Sequence, residues 1–160
     1  MDPVSFVALV TVCAPLVHPS TAQALVRVES SFNPHAIGVV GGALRRQPAT
    51  AAEALATALS LHAGERDFSV GLAQINVRNF PRLGLSLQSA FEPCSNLHAM
   101  QTVLGECLDR AGRGAHPQQD LRRALSCYYS GNFVTGFRHG YVHRVVEAAR
   151  AVHPAPRAPP

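Results

Sequence analysis

The chain has 160 residues, 47% of them apolar and only 15% charged, which fits one domain with a buried core and excludes a disordered polymer. Its formal charge of +4 rests wholly on arginine, since no lysine occurs; such an excess suits anionic polymers without choosing between nucleic acid and cell wall. The arginines form only isolated pairs, Arg45-Arg46 and Arg122-Arg123, with no basic run or recognition helix, which argues against nucleic acid as a partner.

The first stretch, "MDPVSFVALVTVCAPLVHP", is apolar but too short to span a bilayer. Asp2 stands where a signal peptide carries positive charge, and Pro15 and Pro19 interrupt the run, so a core helix is the first reading and a degenerate signal peptide the second. "STAQALVRVES" opens with Ser20 and Gln23 at capping-box spacing and predicts a helix to about Ser31. Pro34 closes it, because it disfavours helical geometry at Asn33. In "IGVVGGALRRQ" a β-branched run, Gly41-Gly42 and an alternating tail predict a short hairpin. "TAAEALATALSLHAG" repeats the capping pattern with Thr50 and Glu53 and stops at Gly64. "FSVGLAQIN" is short, apolar and interrupted by glycine, as an extended segment entering a turn would be.

Helical periodicity then returns. "NLHAMQTVLGECLDRAG" aligns Leu97, Met100, Leu104 and Leu108 on one stripe, and "PQQDLRRALSCYYSGN" aligns Leu121, Leu125 and Tyr128 before Gly131. "GFRHGYVHRVVEAARAVH" reads as the last helix, and "PAPRAPP" as a proline-rich tail that need not fold. The fold class expected is a mainly α domain of the α+β kind over residues 1–152, with a small β hairpin or sheet and a tail at 153–160. Cys13, Cys94, Cys107 and Cys127 lie too far apart for a CxxC site and permit three full pairings, among which spacing does not choose. The eight histidines lack HExxH or paired ligand spacing, so no metal and no cofactor is expected.

Glu29 is the candidate reactive group. Its neighbours one turn back, Leu25 and Val26, are apolar, so its side chain is expected to lie toward the core or a cleft wall. It occupies the last helical turn, where free carbonyls disfavour negative charge. Desolvation acts in the same sense, so the acid should keep its proton toward neutral pH, as a general acid requires. "GLAQIN" adds the amides of Gln74 and Asn76, and "SCYYSGN" adds Tyr128, Tyr129, Ser130 and Asn132. That mixture of amides, hydroxyls and aromatic faces suits sugar rings, which have polar edges and partly apolar faces.

Four segments in order, "RVESSFNPHAIG", "SVGLAQIN", "SCYYSGNF" and "YVHRVV", resemble the motifs of the lytic transglycosylases of the soluble-type, lysozyme-like superfamily. Through "HPSTAQALVRVESSFNPHAIGVVGG" and "FEPCSNL" the chain resembles more closely the small peptidoglycan transglycosylases of type IV secretion systems, over roughly residues 14 to 148. The resemblance implies a lysozyme-like fold with Glu29 as the catalytic acid and Ser30 as its usual neighbour. It implies a glycan groove lined by Gly71, Leu72 and Gln74, with Tyr128 and Tyr141 at the acid and Gly131 in the turn after Tyr128; Ser69, Asn76 and Asn132 are further candidates to bind the glycan. The family's asparagine after the first tyrosine is Tyr129 here, and Asn132 is the candidate to supply that amide.

The activity implied is cleavage between N-acetylmuramic acid and N-acetylglucosamine to a 1,6-anhydro end. This needs one carboxylate where ordinary glycosidases need two. Glu65 and Asp67 are expected to be solvated loop charges; were either in the groove, a hydrolytic muramidase would be the alternative. A non-catalytic peptidoglycan-binding or assembly protein is the other. The partners implied are peptidoglycan glycan strands and type IV secretion system components, in the periplasm or cell envelope, although no export signal is evident. In that setting a Cys94–Cys127 bridge is the candidate disulfide, pinning the tyrosine turn to the preceding helix.

Overall fold

In a computed structural model, residues 1, 3–112, 114 and 116–152 are described; the expected proline-rich tail lies outside them. Eight α-helices among these residues run in chain order as α1 (Pro3–Cys13), α2 (Pro19–Ser30), α3 (Ala51–Ala63), α4 (Phe80–Leu83), α5 (Pro93–Ala111), α6 (Pro117–Ser130), α7 (Thr135–Arg138) and α8 (Tyr141–Val152). Three short strands, β1 (Ile37–Val39), β2 (Phe68–Val70) and β3 (Ile75–Asn76), form one antiparallel sheet in that order. The fold is mainly helical, of the α+β class. Helices α2, α5 and α6 open on prolines, whose missing N–H has no partner to lose in a first helical turn.

Helix α5 carries the middle of the core. Leu97, Met100 and Leu104 are buried there against α1 and α6, as the periodicity predicts, and Leu108 is partly covered. Helix α1 contributes Phe6 and Val10, both fully buried, so the N-terminal apolar stretch is a core helix. The cap of α2 differs from the expected box. Because Pro19 opens the helix, Ser20 already lies in its first turn, and His18 Nδ1 accepts from Ser20 N at 3.3 Å. The second expected box forms in part: Thr50 Oγ1 accepts from Glu53 N, while the Glu53 carboxylate reaches back to Ala49 N.

Three expectations are corrected. The hairpin after Ile37 does not form. Gly41, at φ 71°, turns the chain away, and the Gln47 side chain occupies both backbone groups of Ile37 on that edge, accepting from its N–H at 2.8 Å and donating to its carbonyl at 2.9 Å. The other edge of β1 pairs with β2, with Ile37 opposite Val70 and Val39 opposite Phe68. The last helix is two helices, since Gly140 at φ 71° breaks the run and restarts it at Tyr141. The cysteines pair as Cys13–Cys94 and Cys107–Cys127, not Cys94–Cys127. Packing of α1 on α5 brings Cys13 to the head of α5, and packing of α6 on α5 brings Cys127 to Cys107. The second bridge still ties the residue before Tyr128 to α5. Among the described residues no helix is long and apolar enough to cross a membrane.

Candidate active site

Glu29 ends up where α2 stops abruptly. Leu25 and Val26 are fully buried one turn below it and anchor the helix in the core. Ser31 and Phe32 then adopt left-handed backbone, φ 52° and 63°, a conformation that costs a residue with a side chain about 1–2 kcal/mol. Packing offsets part of that cost, since the Phe32 ring meets Phe6 edge-on at 5.1 Å. Ser30 Oγ donates to Leu72 O at 2.7 Å, stitching the helix end to the 71–74 turn.

That turn is assembled by a residue absent from the sequence-based site, Asn96 of α5. Wholly buried, it accepts from Ala73 N at 2.8 Å and donates to Val70 O and Ala90 O at 3.0 and 2.8 Å. Its signal was a polar side chain beside Leu97 and one turn before Met100, on the buried stripe. Gly71 is there for two reasons. Its φ is 79°, and a Cβ on it would stand 2.3 Å from Asn96 Nδ2. Gln74, itself left-handed at φ 50°, folds its amide back to donate to Ala36 O and Gly71 O at 3.1 and 3.0 Å. Tyr128 of α6 donates to Ala73 O at 2.7 Å.

The carboxyl of Glu29 accepts from Tyr141 Oη at 2.5 Å. Tyr141 is the first residue of α8 and is 1% exposed, so the break at Gly140 is what aims it at α2. Burial raises the Glu29 pKa from 4.5 to about 7, against smaller opposing effects of the Tyr141 hydrogen bond and the Arg144 charge. Burial and the Glu29 charge also push the Tyr128 and Tyr141 hydroxyls well above their ordinary range, so both remain donors. With Tyr141 donating to Oε1, the acid's own proton is left for Oε2.

The remaining expected site residues lie at two places. Ser69 and Asn76 pair across β2 and β3, and Asn76 Nδ2 donates to Asp67 at 2.8 Å and to Ser69 Oγ at 3.3 Å. They share a sheet face with Gly38, over which the Gln74 amide lies: a Cβ on Gly38 would stand 2.7 Å from Gln74 Oε1. Asn132 spends its side-chain oxygen on the amides of Val134 and Thr135, heading α7. Asp67 is not a solvated charge as expected; Arg78 holds it at 2.9 Å and its side chain is 22% exposed. Glu65 is exposed. Among the described residues no three acid, histidine or cysteine side chains gather as a metal would require.

This arrangement is one proton-holding acid, steadied by a tyrosine, beside a rigid turn of backbone carbonyls. The chain matches the transglycosylase SLT domain over residues 10–145. It belongs to that family. The fold is accordingly the lysozyme-like α+β one, and the three-stranded sheet is its small β element. The chain is also similar to the type IV secretion system protein virB1 of Brucella suis biovar 1 (strain 1330), with 47% identity over 91% of this chain and 64% of the relative. To protein virB1 of Agrobacterium fabrum (strain C58 / ATCC 33970) the identity is 38%, over 92% of this chain and 60% of the relative. To protein virB1 of Agrobacterium tumefaciens (strain 15955) it is 40%, over 92% and 62%. The chain thus spans about three-fifths of the length of the relatives it matches. No solved structure matches it.

Proposed function

We propose that this domain is a peptidoglycan lytic transglycosylase in which Glu29 is both the acid and the base. Protonated Glu29 donates from Oε2 to the glycosidic oxygen between N-acetylmuramic acid and N-acetylglucosamine. The bond to the muramoyl C1 breaks as positive charge develops there, and the N-acetylglucosamine leaves as an alcohol. The carboxylate then takes the proton of the muramoyl C6 hydroxyl, whose oxygen closes on C1. The 1,6-anhydro end forms without water, and Glu29 is again protonated for the next cycle. Tyr141 holds Oε1 throughout, so the working oxygen stays fixed toward the polymer. Ser69, Gly71, Gln74, Asn76, Tyr128 and Asn132 line or shape the path of the glycan strand.

The observation that carries this reading is the Tyr141 hydrogen bond to a glutamate that keeps its proton to about pH 7. A two-carboxylate hydrolysis has less support, because Asp67 is committed to Arg78 and Asn76. We assign the activity to the periplasm or cell envelope, where the domain would open the wall locally for type IV secretion components. The match to type IV secretion system protein virB1 supports that setting.

Mass spectrometry of fragments released from purified cell walls tests the chemistry, since an anhydro product is one water lighter than a hydrolysis product. Replacing Glu29→Gln keeps the shape and removes the acidic proton and the carboxylate base, so cleavage should fall by about a thousandfold or more with the circular dichroism unchanged. Hydrated ends would make the enzyme a muramidase, and undiminished release by the variant would remove Glu29 from the chemistry.

A further inference from the structure

Tyr129 stands beside this site and has no part in the scheme above. It is 41% exposed, although its neighbours in α6 from Ala124 to Cys127 are buried. One side of its ring lies flat on Tyr141, with centroids 4.6 Å apart and planes 19° from parallel. Its hydroxyl meets His139 Nδ1 at 3.2 Å, and the His139 ring abuts it edge-on at 5.9 Å. An exposed ring with two rotatable angles is thus held at both its flat side and its tip. Binding against it sacrifices little side-chain freedom. It is also one ring removed from the acid, because the Tyr141 beneath it carries the hydroxyl on Glu29.

We propose that the open side of Tyr129 is a stacking platform for one N-acetylated hexosamine ring of the bound strand, next to the bond that is cut. The face of a tyrosine is electron-rich, and the axial C–H bonds of a β-linked hexose present a weakly positive, apolar face of matching size. The polar edge of the same sugar lies toward the Tyr129 hydroxyl and the His139 ring. The stack on Tyr141 fixes the platform relative to Oε2, so a sugar seated on it is placed with respect to the proton donor. This rests on the glycan reading of the preceding section and adds a specificity-determining residue to it.

The test uses the Glu29→Gln protein, which binds without turnover, and the β-1,4-linked tetrasaccharide of N-acetylglucosamine as the probe. The chain has three tyrosines, so NMR of protein labelled only in tyrosine isolates the candidate site from the seven phenylalanine and eight histidine rings, and calorimetry gives the affinity. The Tyr129 ring signals should shift on titration. Tyr129→Leu, of similar bulk without a flat face, should bind at least fivefold more weakly. Tyr129→Trp should bind as tightly or a few-fold tighter, which a residue acting as a mere prop would not permit. With Glu29 restored, the Tyr129→Leu protein should still titrate its glutamate near pH 7. Binding by Tyr129→Leu within twofold of the parent overturns the platform alone, as does a weakened binding that travels with a moved Glu29 titration. Failure of the parent to bind the tetrasaccharide at all overturns the glycan reading, and the platform with it.

Discussion

The end of α2 and the 71–74 turn meet at one hydrogen bond, from Ser30 Oγ to Leu72 O, yet they treat their polar groups in opposite ways. In the turn, the buried amide of Asn96 and the folded-back amide of Gln74 make five hydrogen bonds to backbone between them, and Tyr128 covers the Ala73 carbonyl. At the helix end, burial desolvates Glu29 and raises its proton affinity, which the hydrogen bond from an uncharged tyrosine offsets only in part. The first wall minimises its free energy and becomes rigid. The second keeps a group that would be more stable in water, and in the proposed mechanism that unmet demand is what makes it an acid. A site of this kind needs both, because a strained acid is useful only where its surroundings do not relax around it.

Substitutions should therefore move stability in opposite directions on the two sides. Gly71→Ala should be the most damaging, at about 4 kcal/mol or more. It forces a side chain into left-handed backbone at about 1–2 kcal/mol and displaces the Asn96 amide from up to three buried partners at about 1–3 kcal/mol each. Urea unfolding would measure it; a loss below 1 kcal/mol would mean the turn relaxes freely.

Glu29→Gln should do the reverse. The folded pKa of Glu29, about 7, lies above the ordinary 4.5, so the native state holds a proton that the unfolded state has released between those values. That contribution is complete below pH 4.5 and vanishes as pH rises through 7, leaving the native protein relatively weaker by about 3 kcal/mol at pH 8 and above. The glutamine variant carries no such dependence. It should gain on the parent by about that amount at pH 8 and converge with it near pH 4. Parallel stability curves across this range would show that Glu29 is not desolvated.

The same division governs how much the sequence revealed. The burial of Glu29 and its raised pKa were legible because their signal is local, with apolar residues one turn back and a helix that must stop at Asn33-Pro34. The stripe of α5 was legible for the same reason, since burial there repeats with the helical period, whereas in α6 the buried residues run consecutively from Ala124 to Cys127 and Leu121 is only partly covered. The pairing of β1 with β2 was not. It joins segments about thirty residues apart, and the edge that a local hairpin would have used is taken by a side chain, Gln47. Asn96 was missed because a three-bond buried amide looks in sequence like any helical asparagine. The cysteine pairing depended on which helices pack, which no spacing encodes. Tyr141 came from resemblance, and the break at Gly140 that aims it came from the structure.

Tyr141→Phe should give the smallest effect and the sharpest test of how the two walls cooperate. The change keeps the buried ring and its stack on Tyr129, so the fold should hold to within about 1 kcal/mol. What it removes is the donor that favours the charged form of Glu29. Without it the carboxylate is less well satisfied, and its pKa should climb above 7 by about one pH unit, the worth of one modest hydrogen bond to a charged group. The alkaline limb of the cleavage rate should move upward with it. The rate on the plateau should fall about tenfold, because Oε2 is no longer held toward the glycan and a more basic carboxylate gives up its proton less readily. A plateau loss with an unmoved limb would make Tyr141 a packing residue, whose hydrogen bond does nothing to offset the rise that burial gives the Glu29 pKa.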